Sequence, residues 1–112
     1  MKILLFLVCF TLSLYATTLG ETLFHGNCVT CHDVSKANSA PAIQDVQTRY
    51  KQRFDTEKKF TAFMVAWLQK PDAKSAIMQE AVNKFGLMPT LGYDEETLYE
   101  IAQFLYTTSF KD

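Results

Sequence analysis

Glycine and proline are scarce in this chain, four and three among 112 residues. A β sandwich or barrel needs turn residues every ~8–12 positions. No stretch alternates with period two, so an all-β design is excluded. Cysteine is equally scarce, and three is an odd number that no pure disulfide framework uses. A surplus of positive charge is missing too. Eleven Lys and Arg face twelve Asp and Glu, for a formal net charge of -1. That lacks the basic excess of a nucleic-acid binder. No apolar run reaches the ~20 residues of a membrane span. No repeat, low-complexity tract or linker divides the chain. What remains is 48% hydrophobic and 13% aromatic. This is too apolar for a disordered tail, and the length suits one domain.

Residues 1–16 read MKILLFLVCFTLSLYA. A basic Lys2, an apolar run from Ile3 to Leu14 and a small Ala16 form the layout of a secretory signal peptide. The alternative is an uncleaved anchor. Residues 1–16 are therefore expected to be a signal peptide and residues 17–112 the mature domain. Cleavage would remove Cys9 and leave Cys28 and Cys31 in an oxidising compartment. A domain of that size is marginal on its own core. Something extra is expected to fill its centre.

The mature part reads as all-helical. Thr18 to Asn27 can form a first helix, with Leu19, Leu23 and Phe24 near one face. DVSKANSA (33–40) is a polar loop, and Pro41 can open a second helix because its missing N–H is not needed there. Ile43, Val46 and Tyr50 recur along that segment at helical spacing. Asp55 or Thr56 can cap a third helix, whose Phe60, Phe63, Met64, Trp67 and Leu68 follow the i, i+3, i+4, i+7, i+8 pattern of a buried face. Pro71 ends it. A fourth helix is expected from Ala73 to Phe85, with Ile77, Met78, Ala81, Val82 and Phe85 on one face and Gly86 past its end. GLMPTLGY is a loop. Asp94 caps the last helix, which carries Glu95 and Glu96 in its first turn and Leu98, Ile101, Ala102 and Leu105 as its stripe.

The chemistry concentrates in Cys28-Val29-Thr30-Cys31-His32. C-x-x-C-H is the attachment motif of c-type haem. Two thiols three residues apart lie about one helical turn apart, so both can reach the two vinyl groups on one side of a porphyrin. The histidine that follows can come under the iron as its proximal ligand. Its other ring nitrogen then needs an acceptor. Three other readings stay open. A thioredoxin-like redox pair wants a preceding strand and a βαβ context, and neither is present. Zinc could draw on His25, Cys28, Cys31 and His32, but all four fall within eight residues. A plain disulfide is the third.

A haem iron bound by one histidine has a second axial side. Met64, Met78, Met88 and His25 are the candidates. Met64 and Met78 lie on apolar helical stripes and read as core packing. Met88 falls between Gly86-Leu87 and Pro89, in a loop that could hold a thioether over a metal without bending a helix. Pro89 stiffens that loop. His25 lies three residues before Cys28, on the wrong side to oppose His32.

Taken together, residues 17–112 resemble a class I cytochrome c. Gly20 and Phe24, eight and four residues before Cys28, match that family's glycine and aromatic. In LYEIAQFLY, Phe104 is the expected contact of Gly20, with Tyr99 nearby. Leu87-Met88-Pro89 matches the region of the sixth ligand. Pro41 matches the proline whose carbonyl accepts from the proximal histidine. Trp67 resembles an interior tryptophan that holds a haem propionate in some members. The stretch Arg49–Trp67 matches no particular subgroup.

The resemblance implies an all-α cytochrome c fold of four to five short helices around one covalent haem c. Its N- and C-terminal helices would cross. Cys28 and Cys31 would carry the thioethers, with His32 and Met88 as axial ligands. It implies a soluble, periplasmic, monomeric one-electron carrier, not an enzyme, that meets donor and acceptor proteins and is not held in a membrane once cleaved. The alternative is a catalytic or gas- or redox-sensing haem protein whose sixth position is open or weakly held. Charge is uneven along the chain. Arg49, Lys51, Arg53, Lys58 and Lys59 cluster in 49–59, with Asp55 and Glu57 among them. Asp94, Glu95, Glu96 and Glu100 cluster in 94–100. Such asymmetry either steers docking or marks solvated helix faces.

Overall fold

The computed structural model describes residues 18–110, which form five α-helices and no strand. The segment read as a signal peptide lies outside the described residues. Helix α1 is Leu19–Asn27, α2 Ile43–Arg53, α3 Glu57–Gln69, α4 Gln79–Phe85 and α5 Glu95–Thr107.

Three of the starts follow from side-chain caps. Thr18 accepts from the Glu21 amide, Thr56 from Lys59 and Asp94 from Thr97. Each satisfies a donor that the first helical turn leaves without a partner. The stops are equally local. Gly86 follows α4 at φ +86°, a left-handed conformation that glycine adopts without steric cost. Pro71 follows Lys70, the last residue bonded into α3.

The fourth helix is shorter than its pattern suggests. Residues 73–75 form a separate turn, not the helix's first residues. The Asp72 carboxylate accepts from the Lys74 amide, and Ser75 donates to the Asp72 carbonyl. The Gln79 side chain donates back to the Ala73 and Ala76 carbonyls. These local bonds compete with helix extension. Ile77 and Met78 therefore precede α4, and Met78 is its N-cap.

The core lies where α5 packs against both α1 and α3. Phe24, Phe60, Leu98 and Ile101 are its largest fully buried side chains. Each stabilises the fold by about 1.5–3 kcal/mol relative to an exposed position. The crossing of α1 and α5 turns on Gly20. A Cβ there would press on the Glu100 carbonyl oxygen and lie 2.9 Å from the Phe104 Cβ. The expected glycine–aromatic contact is thus present, and Phe104 also packs on Phe24 with ring centroids 5.2 Å apart. A second tie joins α2 to the chain's end. Gln47 Nε2 donates to the Leu105 and Thr108 carbonyls at 2.7 and 2.6 Å, and Gln44 Nε2 to that of Phe110. These bonds serve carbonyls at and beyond the C-terminal end of α5 and seat Phe110 against Phe24.

Candidate functional site

Helix α1 does not stop abruptly. The Cys28 amide donates to the Phe24 carbonyl at 2.9 Å, and His32 N–H to that of Cys28 at 2.8 Å. The CVTCH segment thus continues as one more helical turn. That turn carries Cys28, Cys31 and His32 to the wall of a single cavity. Cys28 is buried and Cys31 exposed, and the two are not bonded to each other. Burial pushes the Cys28 thiol up to about 11, because an apolar setting disfavours the thiolate.

His32 is oriented by one contact. Its Nδ1 lies 2.7 Å from the Pro41 carbonyl oxygen. A carbonyl only accepts, so Nδ1 carries a proton, and in the neutral ring the Nε2 lone pair is the one left free. The loop between α1 and α2 makes this possible. Ile43 N–H donates to the Asp33 carbonyl and Gln44 N–H to that of Val34, both near 3.0 Å. Those bonds hold the Pro41 carbonyl over the imidazole. Pro41 was expected to open α2; the helix begins two residues later, which leaves that carbonyl outside the helical ladder.

The cavity holds about 1170 Å³ of space between atoms, open solvent at its mouth included. Helices α2, α3 and α5 supply Val46, Trp67 and Leu105, and the α4 wall supplies Val82 and Phe85. Met64, Met78 and Met88 all reach it, so the structure brings together every methionine that the sequence singled out. His25 does not. It is exposed and stands edge-on to Phe24, 5.2 Å between centroids.

Met88 sits in a loop held at two points. Leu91 N–H donates to the Leu68 carbonyl at 3.3 Å, and Tyr93 O–H to Asn27 Oδ1 at 3.1 Å. The second bond ties this loop directly to α1, beside the cysteines. No sequence signal pairs residues 66 positions apart. Tyr50 also went unnoticed as a site residue. It lines the cavity and is 4% exposed. Burial alone raises its phenol well above the ordinary range, and no hydrogen bond among the described residues opposes that shift.

The donor set narrows the chemistry. Among the described residues no three His, Cys, Asp or Glu side chains converge as a metal cage, which disfavours the zinc reading. No strand stands beside the motif, which disfavours a thioredoxin-like pair. A large flat apolar group with polar edges fits. Two thiols, an imidazole and three thioethers share one apolar wall, and Tyr50 lines it with them. These features define an all-α domain built to hold one ring-shaped cofactor.

The family model for cytochrome c matches residues 17–109, and the chain belongs to that family. Neither the curated proteins nor the solved structures give a match. Membership implies covalent haem c and the class of electron carriers, and the Cys28–Cys31 spacing fits the attachment. Among the described residues no helix is long and apolar enough to cross a membrane.

Proposed function

We propose that this chain is an exported mono-haem one-electron carrier, with haem c joined through Cys28 and Cys31 and with His32 and Met88 as axial ligands. One observation carries the reading: His32 stands between the thiols' cavity and a fixed acceptor, its Nδ1 2.7 Å from the Pro41 carbonyl. That contact sets the tautomer and the ring plane of a ligating imidazole.

When bound, the group supplies a Met/His-ligated iron that changes charge by one electron at a raised potential. The rest is the work of the chain. Cys28 and Cys31 anchor from one helical turn. The two ties at Leu91 and Tyr93 hold the Met88 loop near the cavity. Phe85, Val82 and Leu105 keep water from its interior. The Tyr50 hydroxyl and Trp67 ring N–H are donors suited to carboxylate edges. With His32 and Met88 both held by the iron, a substrate would find little room there, which favours a carrier over bond chemistry. A positively charged start and apolar run at residues 1–16 support delivery to the periplasm.

The test is the absorption spectrum of purified holoprotein and of Met88→Ala. The wild type is expected to be low-spin with a sulfur–iron band. Met88→Ala is expected to become high-spin and to take up carbon monoxide. An unchanged spectrum in Met88→Ala, together with a changed one in Met78→Ala or Met64→Ala, would show that another thioether binds. A wild type that is already high-spin and binds carbon monoxide would instead make this a catalytic or sensory protein.

A further inference from the structure

We propose that the corner between α2 and α3 is a docking face, away from the cavity, for an acidic protein surface. A hollow opens there between Lys51, Arg53 and Lys59, with Phe54 in its lining. None of the residues lining this hollow also lines the cavity.

Two of the three cations are held in place. Lys51 Nζ stands 4.7 Å from the centroid of the Tyr106 ring, and the Arg53 guanidinium carbon 5.4 Å from that of Phe54. Both distances fall within cation–π range. Lys59 pairs with Asp55 at 2.9 Å, so the hollow's one carboxylate is already engaged. The hollow is therefore cationic on a chain whose net charge is negative. The molecule's acidic cluster lies elsewhere, at the start of α5. Charge arranged this way orients an approaching acidic surface before contact and speeds productive encounter.

The hollow is also joined to the cavity by packed rings. Phe54 lies 5.2 Å from Phe63 and 6.2 Å from Tyr50 between centroids, and Tyr50 lies 5.7 Å from Phe63. Tyr50 is part of the cavity wall. Atoms in contact carry electronic coupling farther than gaps or water do. A partner seated at this corner would thus face a continuous aromatic path to the cofactor cavity. The coupling role rests on the carrier reading above; the docking role does not.

The first test maps docking alone. Isotope-labelled holoprotein is titrated with a twelve-residue poly-glutamate peptide at low salt, and amide shifts are followed by NMR. Shifts are expected to concentrate at residues 51–54 and 59–62. Lys51→Glu/Arg53→Glu should weaken binding at least tenfold. The control Lys70→Glu/Lys74→Glu, which changes net charge equally, should leave it within about twofold. Shifts centred on Leu87 and Cys31, or equal losses in both variants, would overturn the proposal. So would binding to vesicles rich in phosphatidylglycerol through Lys51 and Arg53 without any response to the peptide, which would make the face a lipid contact.

The second test reads electron transfer at this corner. Hexacyanoferrate(III) takes one electron from the reduced protein, becoming hexacyanoferrate(II) as the protein turns ferric. Its rate should fall about tenfold in Lys51→Glu/Arg53→Glu but not in the control, and the difference should vanish at high salt. An equal fall in the two variants would mean that overall charge, not this corner, guides the oxidant. A protein that binds the peptide but cannot be reduced would defeat the carrier reading and leave the docking face standing.

Discussion

At the scale of single residues, Gly20 carries the clearest constraint. The atoms its Cβ would meet include the Glu100 carbonyl oxygen and the Phe104 Cβ. Backbone and Cβ atoms cannot swing aside as a flexible side-chain end can. Gly20→Ala is therefore expected to destabilise the holoprotein by about 1–3 kcal/mol, as overpacking does. A denaturant midpoint unchanged by that substitution would show that α1 and α5 can separate freely. Gly20 and Phe24 were legible because their offsets from Cys28 match the family's, and Phe104 because the resemblance points to an aromatic in the last helix. The CVTCH triad was legible because it is contiguous. Gln44, Gln47 and Tyr93 were not. Each makes its bonds across 58 to 66 residues of sequence, and a polar side chain on a half-buried face carries no local mark of a distant carbonyl.

At the scale of elements, helix caps set both boundaries and acid sensitivity. Thr56→Ala should cost about 1 kcal/mol, since the Lys59 amide loses its acceptor. Asp94 sits lower than its ordinary 3.8, first because of its hydrogen bond with Thr97. A carboxylate with a depressed folded-state pKa stabilises the fold above its ordinary value. That contribution disappears as pH falls through the depressed one. Stability is thus expected to be level above about pH 5 as far as this group is concerned, and to drop below pH 4. Asp94→Asn retains a capping oxygen but cannot titrate. Its midpoint should lie below the wild type at pH 6 and approach it at pH 3. A constant gap between the two would remove Asp94 from the acid response.

The Met88 loop is the element where fold and function meet. Tyr93→Phe removes its bond to Asn27, worth about 0.5–1.5 kcal/mol. On the proposed ligation, displacement of Met88 from the iron by added imidazole should then run about two- to tenfold faster, with the spectrum before addition unchanged. Equal rates would mean that Leu91 and the loop's own stiffness suffice. The fourth helix illustrates where pattern reading fails. Ile77 and Met78 keep the helical spacing of Ala81 and Phe85. The Asp72 turn and the Gln79 side chain nevertheless take up the backbone groups that an earlier start would require. Periodicity reports which side chains face inward, and here they face the cavity from a loop as well as from a helix.

At the scale of the whole molecule, the described residues arrange five short helices around a cavity, and the largest fully buried side chains sit where α1, α3 and α5 meet. A domain this small buries little beyond that. The cofactor is thus expected to serve as the remaining part of the core. Cys28→Ser/Cys31→Ser, which cannot form thioethers, should lose its sharp unfolding transition and much of its helical circular dichroism. A cooperative transition like that of the holoprotein would mean the polypeptide is stable without the group. Helix count and motif followed from local signals and the crossing from the family resemblance, whereas the cavity's outline did not, because it depends on side chains from every helix at once. The most direct measurement of the central claim is the intact mass of the purified protein after denaturation. The account predicts a polypeptide heavier by one haem, with neither Cys28 nor Cys31 open to alkylation. A chain of polypeptide mass alone, both thiols reacting with the alkylating reagent, would contradict it.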